Sequence, residues 1–406
     1  MSKLTKESKF LLSVGILATA GMMVANTFVN VFLIRATDGN LGLIITQSMI
    51  NFITLLIAFV GGSKLLAKIS ITTLLRMGIA SMAFYFITIL LLQDNVSTFL
   101  IPLALFNGLG GGLYWFSTNI LIAKVIKEDE QGRYFGFQQT AGSIFGVATP
   151  VISGFIITRF TDLTGYYILF GIAFMLFLAA AFMIKNVPGF TSDNKIHVTQ
   201  VLKLKGNRYW NACKLFTFTS ALKNAINGQV FMLFAFLIFV NEGVMGNLLS
   251  ATALVTVFSS FWFAKTSKRS NQQPFYFLTA VVMSIMYVLL ALFPYLPVLI
   301  AAFVVFAVIQ NWANTILQSV IFQLTSRAKG DFVQNDYLVA LEFPTALGRV
   351  LGMAVALLLI HLVAYDMHVY RILFVVIAIC WVLEYFVIEM QVKWFRNELE
   401  HEESSD

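Results

Sequence analysis

Three ionisable residues stand inside long apolar stretches of this 406-residue sequence. Lys223 lies about eleven residues into one stretch; Arg349 lies about twelve residues into another and follows Glu342 by seven residues. An ionised side chain at such a depth costs at least about 2.5–3.5 kcal/mol in a lipid bilayer, so it needs a partner or a function. Two chemistries fit these residue types: the cations would bind an anionic group, and Glu342 would take up and release a proton.

A structural role is the competing interpretation of the same charges. Glu342 would then pair with Arg349 or with Lys223 and hold helices together. Residues seven apart lie on one helix face about two turns apart, which is too far for a usual helical pair between Glu342 and Arg349, although long side chains shorten the gap. Glu384 is a further deep acid to which the sequence assigns no role.

Side-chain amides recur on the same faces of several predicted helices, often at a spacing of three or four residues. These amides, one tryptophan and Lys223 are the candidate solute-binding residues. They are Asn26, Asn30, Asn107, Trp115, Asn119, Asn224, Asn227, Gln310, Asn311, Asn314, Gln318 and Lys223. An amide in hydrocarbon is costly unless it finds a partner or water. The pattern therefore predicts either an aqueous cavity lined by these residues or hydrogen bonds between helices.

The elements that must position these residues are membrane spans. Apolar residues make up 59% of the chain and charged residues only 12%, whereas soluble domains average about 25% charged residues. About 20 apolar residues are needed to cross a bilayer. We predict twelve spans, at roughly 10–35, 41–63, 74–93, 98–123, 134–159, 164–184, 212–239, 246–264, 274–293, 297–323, 337–362 and 370–391.

Little sequence remains outside these spans, which excludes a soluble catalytic domain. We expect no enzyme, no cofactor and no metal site, since Cys213 and Cys380 form no metal-type or redox-type pair. The net charge of +7 is not clustered on a soluble domain, so a nucleic-acid partner is not expected either. Lysine and arginine concentrate in alternate loops, which places both termini in the cytoplasm. The apolar spans make membrane lipids the expected surroundings of the protein.

The two halves of the chain repeat. Adding 203 residues to the first six spans nearly reproduces spans seven to twelve, and Gln139 maps onto Glu342. Six spans is an even number, so the halves would be parallel repeats. We predict a six-helix half over 1–184, a cytoplasmic loop over 185–211, a second six-helix half over 212–392 and an acidic tail over 393–406.

Small residues predict where helices approach closely. Gly142, Gly146, Pro150 and Gly154 are each four apart in span five, and span eleven repeats the spacing at 348 and 352, both glycines. Such a ladder lies on one helix face and lets another helix come near. We expect tight packing along both ladders.

The arrangement resembles the major facilitator superfamily over the whole chain. After span two that family usually has Gly-x-Leu-Ala-Asp-Arg-x-Gly-Arg, and residues 61–68 read Gly-Gly-Ser-Lys-Leu-Leu-Ala-Lys, with Lys68 in place of the acid. In span five the family often has Gly-Pro-x-x-Gly-Gly, and residues 149–154 read Thr-Pro-Val-Ile-Ser-Gly. The resemblance implies an all-α membrane fold of twelve helices, with spans one, four, seven and ten lining a central cavity.

This resemblance implies a secondary transporter of a small organic solute that works by rocking its two halves. No ATP motif appears, so an ion gradient or solute exchange would supply the energy. Glu342 and Arg349 are the predicted proton-coupling residues, Lys223 and Arg349 favour an anionic solute, and export is as open as import. We expect a monomer in a bacterial plasma membrane. A non-transporting solute sensor or a lipid scramblase on the same scaffold is the alternative.

Overall fold

The computed structural model describes residues 4–191, 198–204, 207–239, 241–266, 272–327, 334–363 and 367–403. Over these ranges the chain is helical and contains no strand. The helices are α1 (Lys6–Asn26), α2 (Val29–Ala36), α3 (Leu41–Leu65), α4 (Ile71–Leu92), α5 (Leu100–Val125), α6 (Glu128–Arg159), α7 (Thr164–Met183), α8 (Val198–Leu202), α9 (Arg208–Phe239), α10 (Glu242–Thr266), α11 (Gln272–Leu292), α12 (Leu296–Arg327), α13 (Gln334–Val363) and α14 (Met367–Glu403).

Twelve segments of the described chain are long and apolar enough to cross a membrane, with mean hydropathies between 1.5 and 2.5. The predicted number of spans is therefore confirmed, and each predicted span overlaps one of these segments. The first segment, Lys6–Ala36, contains both α1 and α2, and α8 is too short to cross. The last helix, α14, continues to Glu403 and so includes most of the predicted acidic tail; the side chains beyond Met390 lie outside the description.

The chain divides into two compact units. We call Met1–Ile196 with Ala235–Ala253 the N-unit, and His197–Phe234 with Leu254–Asp406 the C-unit. In the N-unit α4 packs against α5 and α7, and in the C-unit α11 packs against α12 and α14. Since α4 and α11 are the third and ninth spans, the same two pairings occur at equivalent positions of the predicted repeat.

Glycines fix the position of α5 in the N-unit. A Cβ atom added to Gly108 or Gly112 would collide with backbone carbonyl oxygens of α3, those of Asn51 and Leu55. Only glycine allows two helix backbones to approach this closely. Gly108 and Gly112 thus hold α5 against α3, whereas Trp115, further along α5, is 46% exposed.

The two predicted small-residue ladders behave differently. A Cβ atom on Gly348 would collide with the carbonyl oxygen of Phe218, and one on Gly352 would lie 2.8 Å from that of Leu222, so α13 packs tightly on α9 as predicted. On α6, a Cβ atom added to Gly154 would lie 2.8 Å from the carbonyl oxygen of Glu242, so α6 also packs closely at this position. No described atom comes within 4 Å of a Cβ atom at 142 or 146, so tight packing is confirmed only for one end of that ladder.

Candidate functional site

The N-unit exposes polar side chains on two of its membrane-spanning segments. Asn26 at the end of α1 and Asn119 on α5 are exposed, as is Trp115 one turn before Asn119. Asn30 and Asn107 are half-buried. The helices α1 and α5 contact each other, so these residues come from neighbouring elements of one unit. Amides that stay exposed within a membrane span need water, because hydrocarbon offers no hydrogen bond.

The first span is broken at this amide group. α1 ends at Asn26 and α2 begins at Val29, with Phe28 between them in a non-helical conformation. Thr27 closes the last turn of α1 by donating its hydroxyl to the Met23 carbonyl oxygen at 2.6 Å. A helix end leaves backbone carbonyl and amide groups without intrahelical partners, and transporters place such interruptions where a solute or ion binds. The sequence predicted both asparagines as solute-binding residues, but it indicated one continuous helix here.

The C-unit also exposes amides. Asn224 on α9 and Asn314 on α12 are exposed, and Gln310 is half-buried. Asn227, one turn after Asn224, is already engaged: its Oδ1 accepts a hydrogen bond from the Tyr287 hydroxyl at 2.7 Å. The backbone of α12 includes Asn311 and Gln318, but their side chains lie outside the described residues.

Lys223 is buried in an ion pair. Its Nζ donates to Oε2 of Glu384 at 2.5 Å, and the Tyr276 hydroxyl donates to the same oxygen at 2.6 Å. The Lys223 Nζ also lies 3.2 Å from the ring centroid of Trp381. The pair therefore joins α9, α11 and α14, and Glu384, to which the sequence assigned no role, is the partner that Lys223 has.

Solvent does not reach this cluster. Lys223 is 3% exposed, Glu384 0%, Tyr276 1% and Trp381 2%. The second carboxylate oxygen of Glu384, Oε1, has no hydrogen-bond partner among the described residues. A buried ion pair gains little over apolar packing, but losing one partner leaves an uncompensated charge. The geometry thus holds three helices of the C-unit together and gives no solute direct access to the ammonium group.

Glu342 and Arg349 form a direct pair on α13. Nη1 of Arg349 donates to Oε1 of Glu342 at 2.9 Å, and the two side chains are 31% and 18% exposed. Seven residues exceed the usual spacing of a helical ion pair, and the two long side chains close this gap along the helix. Of the two partners considered for Glu342, the structure shows Arg349. Both groups are only partly buried, so protons and water can reach them.

A third ion pair lies in the N-unit and was missed from the sequence. Nη2 of Arg35 contacts Oε1 of Glu242 at 2.5 Å, and the Tyr166 hydroxyl donates to the same oxygen at 2.7 Å. The guanidinium carbon of Arg35 also lies 5.2 Å from the ring centroid of Phe236. Glu242 sits at the first position of α10, where a carboxylate is favoured by the helix dipole. In the sequence it stands in a polar break between spans and looks like a loop residue.

A buried carboxylate near the N-terminus was also missed. Glu130 on α6 is 2% exposed and accepts hydrogen bonds from the hydroxyl of Ser8 at 2.5 Å and the backbone amide of Thr5 at 3.1 Å. Thr5 is the N-cap of α1, so Glu130 satisfies a helix end and fixes α1 against α6. The only sequence signal was an acid in the polar segment before span five.

Comparison with known proteins agrees with this architecture. The Major Facilitator Superfamily profile matches residues 11–332. A relative named "Uncharacterized protein YqgE", from Bacillus subtilis strain 168, is 25% identical over 266 residues, which cover 65% of this chain and 61% of YqgE. The match therefore leaves out more than a third of that relative.

Two solved structures show the same fold at low sequence identity. A structure described as a bacterial metal transporter has a TM-score of 0.66 and 14% identity, and the match covers 97% of this chain and 99% of that one. The nucleoside transporter NupG has a TM-score of 0.69 and 12% identity, with 96% and 100% covered. At this identity the likeness concerns the fold alone. With twelve spans and a profile match over most of its length, the chain belongs to the Major Facilitator Superfamily and has its transporter fold.

Proposed function

We propose that this protein is a secondary transporter that moves a small organic solute across a membrane by alternating access. The observation that carries the proposal is the set of exposed amides, Asn26 and Asn119 in the N-unit and Asn224 and Asn314 in the C-unit, on helices that are otherwise apolar. Exposed amides inside a membrane span are stable only beside water or a polar ligand. The family supplies the transporter scaffold, and the amides supply polar groups for a solute.

Proton coupling at Glu342 is the second part of the proposal. Glu342 lies just inside the span Val339–Val363 and is partly reached by solvent, and Arg349 balances its charge when it is ionised. Protonation would release Arg349 from this contact, and the resulting local change would be transmitted to α9 through the tight packing at Gly348. Carriage of protons with solute, or against it, would then depend on the same pair, so both import and export stay open.

The charge of the solute is not given by the fold. The similar structures include a metal transporter, a nucleoside transporter and a D-xylose–proton symporter, which are different cargoes on one scaffold. The sequence prediction of an anionic solute would require Lys223 or Arg349 to exchange its carboxylate partner for the solute. We further propose a monomer in a bacterial plasma membrane with both termini in the cytoplasm, from the loop charges and the Bacillus relative.

Uptake into sealed proteoliposomes tests the proposal. The purified full chain would be offered radiolabelled D-xylose, uridine, succinate and choline, with an inward or outward pH gradient. We expect one class of solute to accumulate when the gradient is imposed, and not in protein-free vesicles. The same vesicles, carrying a fluorescent phospholipid and a membrane-impermeant quencher, report lipid scrambling. Scrambling without uptake of any solute would reject transport in favour of a scramblase, and binding of a solute without its passage would favour a sensor.

A further inference from the structure

The cations that would hold an anionic solute are already engaged within the C-unit. Lys223 is 3% exposed and contacts Glu384, and Arg349 contacts Glu342. An anion that bound to Lys223 would have to displace a carboxylate from a site that water does not reach. The displaced Glu384 would then be a buried charge without a partner, which is strongly unfavourable.

The candidate solute-binding side chains that each unit exposes are neutral. Asn26, Trp115 and Asn119 are exposed in the N-unit, and Asn224 and Asn314 are exposed in the C-unit. A side-chain amide offers both donors and an acceptor, which suits a hydroxyl group because a hydroxyl also donates and accepts. The indole of Trp115, 46% exposed, adds a flat apolar surface.

The break in the first span adds backbone groups of the same kind. α1 ends at Asn26 and α2 starts three residues later, so carbonyl and amide groups at the two helix ends lie next to the amide side chains of Asn26 and Asn30. These backbone groups are uncharged donors and acceptors, like the side chains around them. The candidate site is therefore rich in hydrogen-bonding groups and poor in available charge.

We infer that the solute is neutral and rich in hydroxyl groups, the chemistry shared by monosaccharides and nucleosides. This inference rests on the proposed transport function and names its substrate class. Hydroxyl groups would bond to the exposed amide of Asn119, and a sugar ring or base would stack on Trp115, one turn away on α5. A neutral solute leaves both ion pairs of the C-unit intact while it binds, so Glu342 stays available for the proton.

Ligand-induced thermal stabilisation of the detergent-purified full chain tests the inference. The probes are D-xylose and uridine as neutral hydroxylated solutes, succinate as an anion and choline as a cation. A probe at a hundred times its Kd raises the unfolding midpoint measurably. We expect stabilisation by D-xylose or uridine that persists in the double variant Lys223→Met/Glu384→Met. Stabilisation by succinate or choline alone would overturn the inference.

Matched variants locate the binding residues. Asn119→Leu and Trp115→Leu remove an exposed amide and the exposed indole, and each is expected to weaken binding of the neutral probe by roughly three- to tenfold, the worth of a hydrogen bond or a stacking contact. Gln200→Leu removes an exposed amide of α8, outside the spans, and should leave the affinity unchanged. Equal loss in all three variants, or no loss in Asn119→Leu and Trp115→Leu, would contradict this site.

Uptake measurements separate the two claims. If succinate accumulates in proteoliposomes and Arg349→Gln abolishes its uptake, the inference is wrong while the transport function stands. If D-xylose or uridine accumulates and Arg349→Gln still binds the same probe, both stand. If no probe binds or crosses, the inference is rejected, and scrambling of the fluorescent lipid in those vesicles would reject the transport function with it.

Discussion

Two ion pairs among the described residues of the C-unit, Lys223–Glu384 and Arg349–Glu342, differ in how much water reaches them. Lys223 and Glu384 are 4% and 0% exposed, whereas Arg349 and Glu342 are 31% and 18% exposed. The dry pair also has the Tyr276 hydroxyl and the Trp381 ring around it. A charge pair sealed from water responds to the loss of a partner with a large loss of stability, and one in contact with water can exchange protons at little structural cost.

The N-unit differs from the C-unit at the equivalent positions. At the half-chain offset, the four residues of these two ion pairs correspond to Ala20, Ala181, Gln139 and Gly146, none of which is ionisable. The N-unit carries its ion pair at the start of α10 instead, between Arg35 and Glu242. In our account the N-unit contributes a broken helix and neutral hydrogen-bonding groups, and the C-unit contributes the group that exchanges protons.

Removing one partner of the dry pair should have the largest effect. Glu384→Gln or Lys223→Met leaves an uncompensated buried charge, and we expect a loss of about 3–5 kcal/mol in unfolding free energy. Unfolding of the detergent-purified protein, followed by circular dichroism, measures it. The control is Lys223→Met/Glu384→Met, which removes both charges and should recover most of the loss. A single variant as stable as the wild type would show that the pair carries no structural role.

The hydroxyl of Tyr276 should have the next largest effect. Tyr276→Phe deletes a hydrogen bond to a charged group, which is worth about 1.5–3 kcal/mol. Tyr287→Phe is the matched change, since its hydroxyl donates to the neutral amide of Asn227, and such a bond is worth about 0.5–1.5 kcal/mol. The same unfolding assay compares them. Equal losses in the two variants would mean that the charge on Glu384 adds nothing to the bond.

The ion pair of the N-unit should matter less. Arg35 is 41% exposed at its side chain, and after Arg35→Gln the carboxylate of Glu242 keeps the Tyr166 hydroxyl and the helix N-terminus. We expect a loss of about 1 kcal/mol or less, measured by the same unfolding transition. Tyr166→Phe in the Arg35→Gln background serves as the control and should lower stability further. If Arg35→Gln lost as much unfolding free energy as Glu384→Gln, the half-exposed pair and the buried pair would not differ in their contribution to stability.

The wetter pair should have the smallest effect on stability. Glu342→Gln keeps the shape of the side chain, and we expect a change in unfolding free energy within about 1 kcal/mol. Arg349→Gln is the matched variant on the same helix. A collapse of the fold in either variant would mean that this pair, like the dry one, is structural.

The sequence predicted the spans well because each depends on local hydrophobicity. It also predicted close packing at Gly348 and Gly154, because a four-residue spacing places small residues on one face. It did not predict that Lys223 pairs with Glu384, since the two are 161 residues apart and periodicity carries no information on which helix lies opposite. Charge balance was the available signal: Glu384 was the deep acid without a role.

Other parts of the candidate site depended on details that a pattern does not encode. The first span breaks at Phe28, whose backbone is not helical. The sequence gives no signal of this break, because residues 10 to 35 form one apolar run. The pair between Glu342 and Arg349 depends on the rotamers of two long side chains, so the sequence left it as one of two possible partners for Glu342. The roles of the exposed amides stay predictions.

Solute-driven proton movement is the direct test of proton coupling at Glu342. Proteoliposomes loaded with a pH-sensitive dye would receive D-xylose, uridine or succinate in the wild type, in Glu342→Gln and in Lys223→Met/Glu384→Met. We predict a solute-dependent change of internal pH in the wild type and in the double variant. In Glu342→Gln this signal should vanish while exchange of labelled solute continues. An undiminished pH change in Glu342→Gln would contradict the account.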